Sequence, residues 1–338
     1  MTTSDHEPDG APEQSGSGGL VDVTGAGGPV AGDQQVATGT GPDPVRLRLE
    51  VAYDGAGFCG WARQPGLRSV QGELEAALRA VLRIEDGIPV RVAVAGRTDA
   101  GVHATGQVCH ADIPAAAWAA AGQGRSGEPV AQAVRRRCNG ALGPDVRVRQ
   151  VQQAAPGFDA RWSALWRSYR YLVADDPAGQ DPRARGNVLW NARPLDVAAM
   201  HASAQDFLGE HDFAAFCRAR EGASSVRTVH EIVWTRVPAM GGEGGAGEVG
   251  AGAATVAQFS IRADAFCHSM VRSLVGAFLA VGEGRWPVGR PGRLLVAGVR
   301  EHGIASAPPH GLTLVGVGYP ADAELADQAR RARRWRGR

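Results

Sequence analysis

Residues 45–82 read VRLRLEVAYDGAGFCGWARQPGLRSVQGELEAALRAVL, and the spacing of the apolar positions changes once inside this stretch. Val45, Leu47, Leu49, Val51 and Tyr53 alternate with polar residues, as in a strand with one face on a core and the other in water. Leu74, Ala77, Leu78, Val81 and Leu82 then recur at helical spacing behind Ser69, whose hydroxyl suits a helix N-cap. A strand therefore leads into a helix.

Between the two, Gly55-Ala56-Gly57-Phe58-Cys59-Gly60 matches the G-x-G-x-x-G of a dinucleotide-binding turn. That fold needs the helix to open inside the motif, so that its first amides face a pyrophosphate. Pro65 and Gly66 delay the helix to Ser69. The acids some twenty positions on, Glu73 and Glu75, fall on that helix and not at the end of a second strand. The segment reads as a glycine-rich loop.

The same two periods extend outward. Strands are expected near 90–95, 106–111 and 146–152 and a helix over 129–141, completing β-α-β-β-α-β. The order repeats with strands near 166–173, 228–236, 255–263 and 312–318, helices near 195–208 and 265–281, and an added helix near 289–301. The expected fold class is α+β: two ferredoxin-like (RRM-like) β-α-β-β-α-β halves, 45–155 and 156–320, with mixed, mainly antiparallel sheets.

The flanks differ in composition. Residues 1–44 are rich in Gly, Ala, Pro, Ser and Asp with few large apolar side chains, the signature of a disordered tail. The stretch 239–254 reads as a flexible Gly-rich loop between strands. Residues 321–338 form a basic C-terminal tail; the six Arg and one Trp of 327–338 read either as a phosphate contact or as a frayed, solvated end.

The chain has 338 residues and a formal net charge of +1. Seven of its 35 acids lie in residues 1–44, which lack Arg, so 45–338 carries an excess of eight positive charges. That sign suits a polyanionic partner. All 36 basic residues are Arg. Without Lys there is no P-loop lysine, no Schiff base and no lysine nucleophile. The five cysteines, Cys59, Cys109, Cys138, Cys217 and Cys267, are widely spaced and form no C-x-x-C pair, so neither a disulfide framework nor a zinc site is expected. With no signal peptide or membrane span legible, a cytoplasmic location is expected.

Chemistry concentrates in Ala95-Gly96-Arg97-Thr98-Asp99-Ala100-Gly101-Val102-His103, a polar turn between two apolar strands. Flanking glycines let a ligand approach the backbone around Asp99, and Arg97 adds a cation two residues away. On the residues alone, this is equally a functional carboxylate loop or a salt-bridged hairpin turn. A metal role for His103 or His110 lacks a third ligand.

YDGAGFCGWARQ (53–64), SVQGELE (69–75), AGRTDAGVHATGQV (95–108), NGALGPDV (139–146), FDARWSALWRSYRY (158–171), FLGEHDF (207–213) and FCHSMVRSLVG (266–276) together resemble, in order and spacing, the motifs of the TruA family of tRNA pseudouridine synthases. The resemblance spans about 45–320. It implies a pseudouridine synthase fold, no cofactor or metal, and a cytoplasmic homodimer that shares one tRNA. It further implies isomerisation of uridine at positions 38, 39 and 40 of the anticodon stem-loop. By the same resemblance Asp99 is the catalytic carboxylate, Arg97 enters the space left by a flipped-out nucleotide, and Tyr169 stacks on the uracil.

Secondary candidates surround these. His268 and Arg272, at i and i+4, could meet phosphate or the catalytic loop, while Phe266 and Met270 read as core. Leu312 and Leu314, in HGLTLVGV, lie on a strand expected to line the pocket. Ser269 stands where the family often has a second His. Arg135, Arg136 and Arg137 are either a phosphate grip or a solvated helix face. The competing reading is a non-catalytic RNA-binding module, which would have no use for a carboxylate facing a polyanion.

Overall fold

The computed structural model describes residues 43–123, 127–219, 222–239, 254–300 and 304–336, with no side chain described at 335 or 336. The tail read at 1–44 and the loop read at 239–254 lie, but for their flanking residues, outside these. The strands are β1 (Val45–Tyr53), β2 (Val92–Val94), β3 (His103–Ile113), β4 (Val146–Gln153), β5 (Trp166–Ala174), β6 (Leu189–Trp190), β7 (Gly209–Asp212), β8 (Val226–Pro238), β9 (Thr255–Ala263) and β10 (Leu312–Gly318). The helices are α1 (Val70–Leu82), α2 (Ala115–Ala121), α3 (Val130–Ala141), α4 (Val197–Ala204), α5 (Met270–Gly282), α6 (Arg290–Ala297) and α7 (Leu325–Arg336).

One mostly antiparallel sheet runs through both parts of the chain, in the order β4-β1-β3-β10-β5-β9-β8-β7, with β2 on β3 and β6 on β5. The fold is therefore α+β, and the expected pair of sheets is corrected to a single continuous one. The join is made by β10, which pairs parallel to the start of β3 (Thr313 with His103, Leu314 with Ala104) and antiparallel to β5. A parallel pairing so far apart in sequence leaves no local pattern, so periodicity did not reveal it.

Alternation along β1 places Leu47, Leu49, Val51 and Tyr53 in the main core with Leu74 and Leu78 of α1. Ser69 caps α1 by accepting the Gly72 amide at 3.3 Å. Glu75, buried on that helix, accepts the Val92 amide at 3.0 Å and the Gln71 amide group at 2.8 Å, which ties the start of β2 to α1. In the C-terminal part, Phe207, Phe216 and Phe278 meet edge to face beneath β8 and β9. NGALGPDV and FLGEHDF are thus largely architectural: Asn139 exchanges two hydrogen bonds with Val148, and Phe207 and Phe213 are fully buried.

Two expectations are revised. The helix read over 265–281 begins at Met270, because Ser269 before it takes φ +61°, outside the right-handed helical region. The basic C-terminal segment is helical and docked: Leu325 and Ala329 of α7 are buried, and Leu325 joins a small core with Ala95, Val108, Phe158 and Ala160.

Candidate active site

Asp99 lies in the β2–β3 connection, at the end of β3 that pairs with β10, so it stands where the N- and C-terminal strands meet. The glycine-rich loop cradles this connection. A Cβ on Gly55 would sit 2.1 Å from the Val102 carbonyl oxygen, so only glycine allows the approach. Trp61 donates its amide to Thr98 at 3.0 Å. Behind the loop, buried Gln107 donates to the Gly96 carbonyl at 2.9 Å and to the Tyr53 hydroxyl at 3.2 Å, and that hydroxyl is 2.8 Å from Thr98 Oγ1. The G-x-G-x-x-G match therefore serves to seat a carboxylate loop.

The C-terminal part supplies the partners of that carboxylate. Arg272 Nη1 lies 3.4 Å from Asp99 Oδ2, and His268 Nε2 lies 3.6 Å from Oδ1. The Arg272 guanidinium is aimed by its Nε, which donates to the Ala307 carbonyl at 2.8 Å. His268 precedes α5 instead of sharing a helix face with Arg272, yet both reach Asp99. Ser269 Oγ is also 3.4 Å from Oδ2. Ser269 has φ +61° and gives α5 no capping bond, a costly conformation for a residue with a side chain. Sequence reasoning noticed Ser269 only as a departure from the family pattern.

Tyr169 is buried on β5 beside Leu314, to which it is paired across the sheet, and its ring meets Phe266 edge to face at 5.0 Å. Burial pushes its hydroxyl well above the usual tyrosine range. Leu314 is wholly buried next to it, whereas Leu312 is buried opposite Tyr171, two pairs farther along the strand. Arg97 is exposed on the loop, and among the described residues no carboxylate pairs with it. Asp99, His268 and Arg272 thus meet, Tyr169 and Leu314 lie side by side on β5 and β10, and Arg97 stands two residues from Asp99 on the loop.

The remaining candidates fall elsewhere. Arg135 and Arg136 are exposed on α3; Arg136 pairs with Glu128 at 2.9 Å and Arg135 donates to the Arg149 carbonyl at 3.3 Å. His103 and His110 act as buried acceptors, taking the amides of Gly55 and Ala160 at 3.0 Å each. One expectation is overturned: Cys217 and Cys267 form a disulfide across 50 residues. Their separation in sequence hid the pairing, which needs the loop after β7 to fold back on the segment before α5. The bond fixes the residue next to His268, whose carbonyl also accepts the Arg218 amide at 3.0 Å.

A polar loop with a partly exposed carboxylate thus meets an arginine from a distant helix at the seam of a mainly antiparallel sheet. A family profile described as tRNA pseudouridine synthase matches residues 203–320. Curated relatives described as tRNA pseudouridine synthase A align along nearly all of the folded chain. The protein from Streptomyces griseus is 49% identical over 86% of this chain and 94% of its own length. That from Frankia casuarinae is 50% identical over 84% and 93%, and that from Mycobacterium leprae 46% identical over 85% and 94%. This chain belongs to the tRNA pseudouridine synthase A family, and is accordingly an isomerase acting on tRNA. Among the described residues no helix is long and apolar enough to cross a membrane.

Proposed function

We propose that the protein converts uridine to pseudouridine at positions 38, 39 and 40 of the tRNA anticodon stem-loop, with Asp99 as the catalytic carboxylate on a flipped-out uridine. The observation that carries this reading is the clamp on Asp99 by Arg272, His268 and Ser269, which presents one carboxylate beside a buried tyrosine. In the reaction the C1′–N1 bond breaks, the uracil turns, C1′ bonds to C5, and the C5 proton is lost while N1 gains one. Atoms and charge balance with no added group.

Each residue has a place in that sequence. The unpaired guanidinium of Arg97 fills the gap left by the extruded nucleotide. The Tyr169 face supports the uracil while it turns, and Leu314 backs the ring. Asp99 acts on the base or the ribose as a nucleophile, or stabilises cationic character at C1′. Arg272 and His268 hold its oxygens in position during the exchange.

The rest of the proposal follows the family resemblance: two ferredoxin-like halves, a homodimer sharing one tRNA, and a cytoplasmic location. The halves are supported by equal strand order, β4-β1-β3-β2 in the first and β10-β5-β9-β8 in the second. The test of the central claim is Asp99→Asn, which removes charge at little steric cost. Mapping of pseudouridine in tRNA should find none formed, while tRNA affinity stays near that of the parent. Equal loss of binding and turnover would assign Asp99 to binding instead.

A further inference from the structure

Five of the twelve residues of α7 are Arg, against one acid, Asp327. The helix is held firmly to the body. Leu325 and Ala329 are buried, Ser163 Oγ donates to the Leu325 carbonyl at 3.1 Å, and Arg333 donates to Asp159 at 3.0 Å. A Cβ on Gly157 would lie 2.6 Å from the Ala326 side chain, so helix and body are in close contact. Spacing then puts Asp327, Arg330, Arg331 and Arg334 on one outward face. Arg330 pairs with Asp327, while among the described residues Arg331 and Arg334 have no carboxylate partner.

An aromatic residue adjoins this face. Trp162 carries the Arg161 guanidinium at 4.5 Å and that of Arg333 at 6.0 Å from its ring. The patch is joined to the catalytic loop by buried Arg167. Its Nη2 donates to both the Ala95 and Arg161 carbonyls at 2.7 Å, which leaves Arg161 beside Ala95, two residues from Arg97. A rigid cationic face with an adjoining indole, linked to the site that takes a nucleotide, fits a nucleic-acid backbone by charge.

We propose that the outward face of α7, with Trp162, is a second tRNA contact, gripping backbone phosphates away from the nucleotide held at Asp99. The inference rests on tRNA being the substrate. It assigns α7 to affinity alone, since among the described residues none of its arginines makes a hydrogen bond or ion pair with Asp99.

The test uses the full chain with Arg330→Gln, Arg331→Gln and Arg334→Gln together, changes that keep helix propensity and remove charge. Filter binding to a full-length tRNA transcript is measured across a salt series. The dissociation constant should rise about tenfold or more near 0.1 M salt, and the log–log salt slope should become shallower by about two. The single-turnover rate at saturating tRNA should not change. Asp327→Asn, which removes the one acid of that face, should tighten binding, a direction that mere damage to the fold does not produce. Unchanged affinity and slope in both variants would overturn the proposal. So would a loss confined to phosphatidylglycerol vesicles, which would make α7 a membrane contact. Pseudouridine formed by the triple variant at saturating tRNA keeps the Asp99 reading intact whichever way α7 behaves.

Discussion

Arg272, in the first turn of α5, reaches across the sheet seam to place Nη1 3.4 Å from Oδ2 of Asp99, a residue 173 positions earlier. Its Nε is already engaged by the Ala307 carbonyl, so one planar group makes two contacts in fixed relation. A lysine has no such fork. Arg272→Lys and Arg272→Met should each lower the single-turnover rate, by on the order of 100-fold for Met, with tRNA affinity changed far less. Rapid-quench assays at saturating tRNA measure this; a variant that loses affinity in proportion to rate would make Arg272 a phosphate contact.

Arg167 is the structural counterpart. Though 3% exposed, it donates to the carbonyls of Ala95, Arg161, Ala164 and Asp264. Arg167→Met would leave these acceptors buried without that donor, at a cost on the order of 3 kcal/mol. Arg167→Lys should recover little of it, because one ammonium does not span the same acceptors. Urea denaturation midpoints decide the point, and a loss below about 1 kcal/mol for Met would contradict it.

Burial, followed by the nearby Arg46 guanidinium, holds the pKa of His110 below its ordinary value of 6.5. The folded state thus favours neutral imidazole, consistent with Nδ1 accepting the Ala160 amide. Below about pH 6.5 the unfolded chain binds the proton more readily, so stability from this group is complete above that pH and falls as the pH drops toward the lowered folded value. Denaturation midpoints at pH 5 to 8 should show this slope, and His110→Asn should flatten it; an identical slope in the variant would exclude His110 as its source.

The Cys217–Cys267 bond closes a loop of 50 residues, which by chain entropy alone stabilises by about 4 kcal/mol. Of the free thiols, Cys59 is exposed while Cys109 and Cys138 are buried, and burial pushes the Cys138 thiol up to about 12. Alkylation of the native oxidised protein should therefore label Cys59 quickly and the other two slowly. Reduction should add Cys217 and Cys267 to the labelled set and lower the melting temperature. Peptide mass spectrometry showing both already alkylated without reductant would refute the pairing.

Alternation in 45–53, the helical spacing after Ser69 and the corresponding runs later in the chain specified eight of the ten described strands and five of the seven helices, because each depends on which side chains one short segment must bury; β6 and β7, two and four residues long, are too short to show a period. The same local chemistry marked Asp99, Arg97 and the glycines around them. Elements without such a pattern escaped: α2 is an alanine run with a single Trp, and α7 carries charge on most of its faces, so its docking depends on Leu325 joining the small core of Phe158 and Ala95. Nor did spacing show how far α5 would be delayed, since Ser269 adopts φ +61° where the chain crosses Asp99. The sequence by itself therefore determined the elements and the carboxylate loop. Only the tertiary structure decided that β10 joins β3 to β5, that Cys217 meets Cys267, and that Arg272, His268 and Ser269 surround Asp99, because each contact joins residues whose spacing in the chain carries no periodic or compositional signal and forms only when the whole sheet closes.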